Sequence, residues 1–135
     1  MPEKEQEIPA IPVGFKKLIG LETVELAEGR AVLSLNVSAK HLNSQGSLHG
    51  GVLATLIDHA GGNAGCFGNE TGKPRKAVTL SLTTSFLAPV SSGRIIATAR
   101  KRPGGRRIFV STTEITDESG KLLAVGEATY RYIDR

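Results

Sequence analysis

One aspartate stands in the middle of a run that is otherwise apolar or nearly free of side chains. Over Val52–Cys66 the residues Val52, Leu53, Leu56, Ile57, Ala60 and Ala64 recur at steps of three and four, which predicts a helix with one buried face. Ala54, Asp58, Gly61 and Gly65 follow in line on another stripe of the same helix. A carboxylate placed there has two readings. It either faces water or pairs with a lysine or arginine, because burying it alone is costly, or it borders a cleft where it orients or deprotonates a water molecule. Gly61, Gly62 and Gly65 each cost a helix roughly 1 kcal/mol relative to alanine, so something must pack closely there: a ligand, a strand or a second subunit.

The loop that leads into this helix supplies a second set of groups. Residues 38–51 read Ser-Ala-Lys-His-Leu-Asn-Ser-Gln-Gly-Ser-Leu-His-Gly-Gly. At the first positions of a helix the N–H groups of Gly50 and Gly51 lack intrahelical acceptors, and they suit the oxygen of a polarised carbonyl or a phosphate. The plainer reading is that Gly-Gly permits a tight turn into the helix. Asn43 and His49 lie in the same loop, where they either steady a carbonyl or water or cap the local backbone.

Other chemistries find less support. His41, His49 and His59 include no pair at a recognised metal spacing, so no metal site is expected. Cys66, the single cysteine, reads as a small packed residue near a helix end. Ser85, Ser91 and Ser92 lack the Gly-x-Ser-x-Gly setting of a hydrolase nucleophile. Residues 94–135 hold nine basic and five acidic residues and so carry the whole net charge of +4. Within them Arg100, Lys101, Arg102, Arg106 and Arg107 flank a Pro-Gly-Gly turn, either as a phosphate clamp or as a solvated strand end. Aromatic residues make up only 4% of the chain and none interleaves with this cluster, which argues against a nucleic-acid platform.

The elements that must position these groups follow from the remaining pattern. Alternating residues over 19–26 and 30–37, with Glu28-Gly29 between them, predict a β-hairpin. After Pro74, four strands are expected over 77–87, 93–102, 107–117 and 122–133, the first alternating as Val78, Leu80, Leu82, Thr84 and Phe86. Two strands, one helix and four strands make an α+β domain with a largely antiparallel sheet around a central helix. With 135 residues there is room for one core, expected over residues 15–135 behind a flexible segment over 1–14. The acidic start and the lack of a long apolar run predict neither a secretory signal nor a membrane span, and the lone cysteine fits a reducing, cytoplasmic setting.

Taken together, His41-Leu42-Asn43, Gly46-Ser47-Leu48-His49-Gly50-Gly51, the run to Asp58, and Val78-Thr79-Leu80 leading to Phe86-Leu87-Ala88-Pro89 resemble the hotdog-fold acyl-CoA thioesterases, in particular the phenylacetate-pathway-like (PaaI-like) group. The resemblance covers nearly everything from residue 17 onward. It implies hydrolysis of an acyl-CoA thioester, with Asp58 as base or nucleophile and the Gly50 N–H polarising the carbonyl. Asn43 and His49 would assist, and Thr79 would position the water. It implies a homodimer with the active site at the subunit interface, which either stands alone or assembles further to a homotetramer. Coenzyme A enters as part of the substrate and no cofactor is required; Arg100, Arg102, Arg106 and Arg107 become candidates for its phosphates. A non-catalytic acyl-CoA-binding hotdog protein is the alternative. The double glycine Gly61-Gly62 departs from the usual pattern.

Overall fold

Residues 13–67 and 73–134 are described in this computed structural model. Most of the segment expected to be flexible therefore lies outside them, and Gly14 already opens a short helix, α1 (Gly14–Ile19). The hairpin follows as β1 (Glu22–Ala27) and β2 (Arg30–Val37), then a single 3-10 turn at Ala39–His41 and the long helix α2 (Gly50–Cys66). The four later strands are β3 (Ala77–Phe86), β4 (Gly93–Lys101), β5 (Ile108–Asp117) and β6 (Leu122–Tyr132). All pair antiparallel in one six-stranded sheet of order β1-β2-β4-β5-β6-β3. The two edges are therefore β1 and β3.

The sheet curls around α2. Leu53, Leu56, Ile57, Ala60 and Ala64 of the helix are buried against Leu33, Leu35, Ile95, Ala97 and Ile115. Leu56 and Ile57 are fully enclosed, and each contributes roughly 1.5–3 kcal/mol by leaving water. On β5 the buried set is Phe109, Ser111, Thr113 and Ile115, so the apolar Ile108 and Val110 lie on the other face. The alternation by hydrophobicity alone points the wrong way there. A hydroxyl is needed inside because Ser111 donates to the Gly61 carbonyl at 2.8 Å.

Strand side chains explain two of the three helix glycines, Gly61 and Gly65. A Cβ at Gly65 would stand 2.0 Å from a ring carbon of Phe109, and one at Gly61 would stand 2.4 Å from the Tyr130 hydroxyl oxygen. Phe109 is stacked with Tyr130 at 4.8 Å between ring centroids and packs against Tyr132 at 4.6 Å. These rings reach the backbone of α2 because side chains are missing there. Tyr132 donates to the Gly65 carbonyl at 2.6 Å, and Tyr130 to the Asp58 carbonyl at 2.8 Å.

The strand β3 does not alternate uniformly. Thr79 is opposite Tyr130 and Ser81 is opposite Thr129, which leaves Leu80 as an extra residue, a β-bulge. Ala77 and Thr79 lie opposite the inward Tyr132 and Tyr130; beyond the bulge Leu82, Thr84 and Phe86 lie opposite Ala128, Gly126 and Ala124. The single-parity reading of Val78, Leu80, Leu82, Thr84 and Phe86 is thus corrected: the face changes at Leu80. That change turns Thr79 toward α2.

Candidate active site

Asp58 sits half-buried on α2, and the Thr79 hydroxyl donates to its Oδ1 at 2.6 Å. The carboxylate opens on a cavity of about 480 Å³ whose walls include His59, Gly62, Phe67, Ala77, Thr79 and Tyr130. A carboxylate anchored through one oxygen by a hydroxyl keeps its other oxygen for chemistry. Beside it, burial holds the His59 imidazole below its usual pKa, reinforced by the Lys16 ammonium and opposed by the Asp58 charge. His59 is accordingly neutral at pH 7. Cys66 also lines this cavity, but burial, foremost, pushes its thiol up to about 11. It is a thiol at neutral pH, in keeping with a packed residue.

The start of α2 holds the second group. His49 is the N-cap, and its Nδ1 accepts from the Gly51 N–H at 2.8 Å. A neutral imidazole that accepts at Nδ1 carries its proton on Nε2. Gly51 must lack a side chain, since a Cβ would stand 2.8 Å from that Nδ1; a Cβ at Gly50 would press on the Phe86 ring at 3.1 Å. The His-Gly-Gly sequence is therefore a fit between two rings and a helix start. With Gly51 capped, the Gly50 N–H is the leading amide of the helix without an intrahelical acceptor. Gly50 lines a groove of about 380 Å³ together with Asn43, Ser47, Phe86 and Pro89.

Asn43 is the keystone of the preceding loop. Its side-chain oxygen accepts from Gln45 N–H at 2.9 Å and from Ser47 N–H at 3.1 Å, and its own N–H donates to the Ser47 carbonyl at 2.7 Å. The carboxamide oxygen is thus spent on the backbone, and the amide nitrogen is the end with donors to offer.

The structure brings Asp58 to Thr79, and it brings Gly50, Asn43 and the capping His49 to one loop. It does not bring the two sets together within the chain: Gly50 and Asp58 are eight residues apart on one helix, about 12 Å along its axis. Arg100 and Arg102 line a groove with Thr98, Thr112, Glu114 and Glu127 on the face of the sheet turned away from α2. Arg106 and Arg107 are exposed in the β4–β5 turn. The cations that line the Asp58 cavity are Arg75 and Lys76, which sequence reasoning passed over. Arg75 lies over the Tyr132 ring at 3.5 Å and pairs with Asp134 at 3.2 Å. Tyr130 was missed as well; the only signal for it was the pair of helix glycines that calls for a flat neighbour.

An antiparallel six-stranded sheet folded round one long helix is the hotdog architecture, and here a carboxylate and a helix-start amide occupy that helix. The chain belongs to the thioesterase superfamily, whose sequence profile matches residues 45–124. It is 34% identical over 118 residues to the 1,4-dihydroxy-2-naphthoyl-CoA hydrolase of Listeria monocytogenes, a match covering 87% of this chain and 94% of that one. It is 36% identical over 110 residues to the acyl-coenzyme A thioesterase PaaI of Escherichia coli, covering 81% and 75%. Among solved structures, the thioesterase HI1161 of Haemophilus influenzae superposes with a TM-score of 0.79 at 30% identity, over 88% of this chain and 82% of that one.

Proposed function

We propose that this protein hydrolyses acyl-CoA thioesters to a carboxylic acid and free coenzyme A in a site shared by two copies of the chain. The observation that supports it most directly is the spacing on α2. One thioester carbonyl cannot lie within about 3 Å of both the Gly50 amide and the Asp58 carboxylate of the same helix when these are about 12 Å apart. Two chains resolve this. The edge strand β3 exposes Val78, Leu80, Leu82 and Phe86, a long apolar margin of the kind that demands pairing. If two copies of β3 pair antiparallel about a two-fold axis near Leu82, the Thr79 end of one lies beside the Phe86 end of the other. Phe86 covers Gly50 and Thr79 holds Asp58, so each carboxylate then faces the partner's helix start.

In that arrangement the Gly50 N–H donates to the thioester oxygen as it becomes an oxyanion, with the amide nitrogen of Asn43 and the Nε2–H of His49 as further donors. Asp58, steadied by Thr79, takes a proton from water as the water oxygen adds to the carbonyl carbon. Collapse of the tetrahedral adduct breaks the C–S bond, and the departing thiolate takes the proton back. Alternatively Asp58 attacks the carbonyl carbon directly, the C–S bond breaks to expel coenzyme A as thiolate and leave a mixed anhydride, and water then cleaves the anhydride to release the acid and restore Asp58, with the same geometry. The coenzyme A phosphates are assigned to Lys76, Arg106 and Arg107. These share one end of the sheet, where Tyr132 N–H meets the Arg107 carbonyl and Ile133 N–H meets the Lys76 carbonyl. Arg100 and Arg102, on the far face, are weaker candidates.

The test is thiol release from benzoyl-CoA and hexanoyl-CoA by the native protein and by Asp58→Asn. The variant should keep its fold and assembly and lose about 10²–10⁴-fold in kcat. Native-like turnover by the variant, or no turnover of either thioester by the native protein, defeats the proposal.

A further inference from the structure

We infer that Tyr130 is a positioning residue for Asp58, acting on its main chain while Thr79 acts on its side chain; this rests on the role given to Asp58 above. The two donors are a single cross-strand pair. Thr79 and Tyr130 are directly opposite each other in the β3–β6 register, and paired residues of antiparallel strands point to the same face. One donates to the Asp58 Oδ1 at 2.6 Å, the other to the Asp58 carbonyl oxygen at 2.8 Å. The aspartate is thus held at both ends by one rung of the sheet, and the bulge at Leu80 is what puts Thr79 on that rung's inner face.

The grip is rigid. Tyr130 is buried and stacked on Phe109 with an interplanar angle of 16°, and the absence of a side chain at Gly61 lets its hydroxyl reach the helix. Its phenol keeps its proton, since burial, then the Asp58 charge, raise its pKa and the Gly62 N–H only partly offsets them. The hydroxyl is therefore a permanent donor. Because the Asp58 carbonyl and Cβ share one Cα, fixing the carbonyl limits where the carboxylate can stand, and a displacement of about 1 Å at a reacting group costs up to 10²-fold in rate.

Two sister contacts provide controls. Ser111 donates to the Gly61 carbonyl at 2.8 Å and Tyr132 to the Gly65 carbonyl at 2.6 Å, the same chemistry on the same helix face without touching Asp58. The experiment compares Tyr130→Phe, Ser111→Ala and Tyr132→Phe in the full chain, by thermal unfolding and by kcat and KM for benzoyl-CoA, beside Asp58→Asn. All three should lower Tm by similar amounts. Only Tyr130→Phe should lower kcat, by about tenfold with KM changed less than twofold. Combined with Thr79→Val it should lose less than the product of the two single effects, because both hold one carboxylate. A kcat for Tyr130→Phe equal to that of Tyr132→Phe, or a loss carried by KM alone, overturns the inference and leaves the role of Asp58 standing if Asp58→Asn is inactive. An active Asp58→Asn overturns both.

Discussion

Replacing Gly65 by alanine should destabilise the protein although alanine is the better helix former, and replacing Gly62 should do the opposite. A Cβ at Gly65 would stand 2.0, 2.3 and 2.5 Å from three carbons of the Phe109 ring. Normal carbon–carbon contact is about 3.5 Å, so the ring would have to retreat by about 1.5 Å. It has nowhere to go: Phe109 is 1% exposed and lies against Tyr130 and Tyr132, with centroids at 4.8 and 4.6 Å. Overpacking of this kind costs up to about 3 kcal/mol, and about 1 kcal/mol returns through helix propensity, leaving a net loss of roughly 2 kcal/mol. In a chain of this size that lowers Tm by roughly 6–10 °C. At Gly62 the nearest atom to a Cβ is a Tyr130 ring carbon at 3.4 Å, an ordinary contact. There the propensity gain of up to about 1 kcal/mol survives and Tm should rise by roughly 3 °C. Differential scanning calorimetry at one fixed protein concentration decides, since the proposed subunit association would make Tm concentration-dependent. A rise in Tm for both variants would refute the claim that ring packing selects glycine at Gly65.

Leu80→Lys places a charge on the exposed edge strand, and it should shift the protein toward monomer in analytical ultracentrifugation and abolish thiol release; a fully active monomer would contradict the shared site. His59 is held neutral by burial, with a folded-state pKa below its unfolded value near 6.5. The unfolded state therefore binds the extra proton first, and His59 contributes stability that is present above pH 6.5 and is lost as the pH falls through the lower, folded-state pKa. Urea midpoints measured between pH 7.5 and 5 should decline for the native protein and decline less steeply for His59→Gln. Equal slopes would show that His59 does not carry this dependence.

The helix and its buried stripe were legible because Leu53, Leu56, Ile57, Ala60 and Ala64 have a strong period, and the observed α2 begins only two residues before the expected start. Strand limits held to within a residue for β2 to β6, but β1 begins at Glu22, three residues after the expected start, because Ile19 closes α1 and Gly20 caps it. Facing was harder. On β5 the inner face carries Ser111 and Thr113 while Ile108 is exposed, and no local pattern announces a hydroxyl that will donate to a distant helix carbonyl. On β3 the bulge at Leu80 leaves no mark in the sequence, since Val78, Leu80 and Leu82 look like one apolar row. Asp58 stood out as the one charge in its helix, but Tyr130 did not, because its part depends on being opposite Thr79 and against Gly61, neighbours 51 and 69 positions away in the chain. The short α1 escaped notice because six residues with two lysines carry too little period to read.

The extra residue in β3 also governs how this chain can change its length. A deletion or insertion of one residue between Ala77 and Leu82 would exchange inside for outside over part of the strand, sending either Thr79 or the Leu82–Phe86 set to the opposite face. The β4–β5 and β5–β6 turns, which are exposed, are free of that parity. Relatives that drift by insertion should therefore vary at those tips and keep the count through β3 fixed, which makes this short stretch a ruler for aligning distant members of the family.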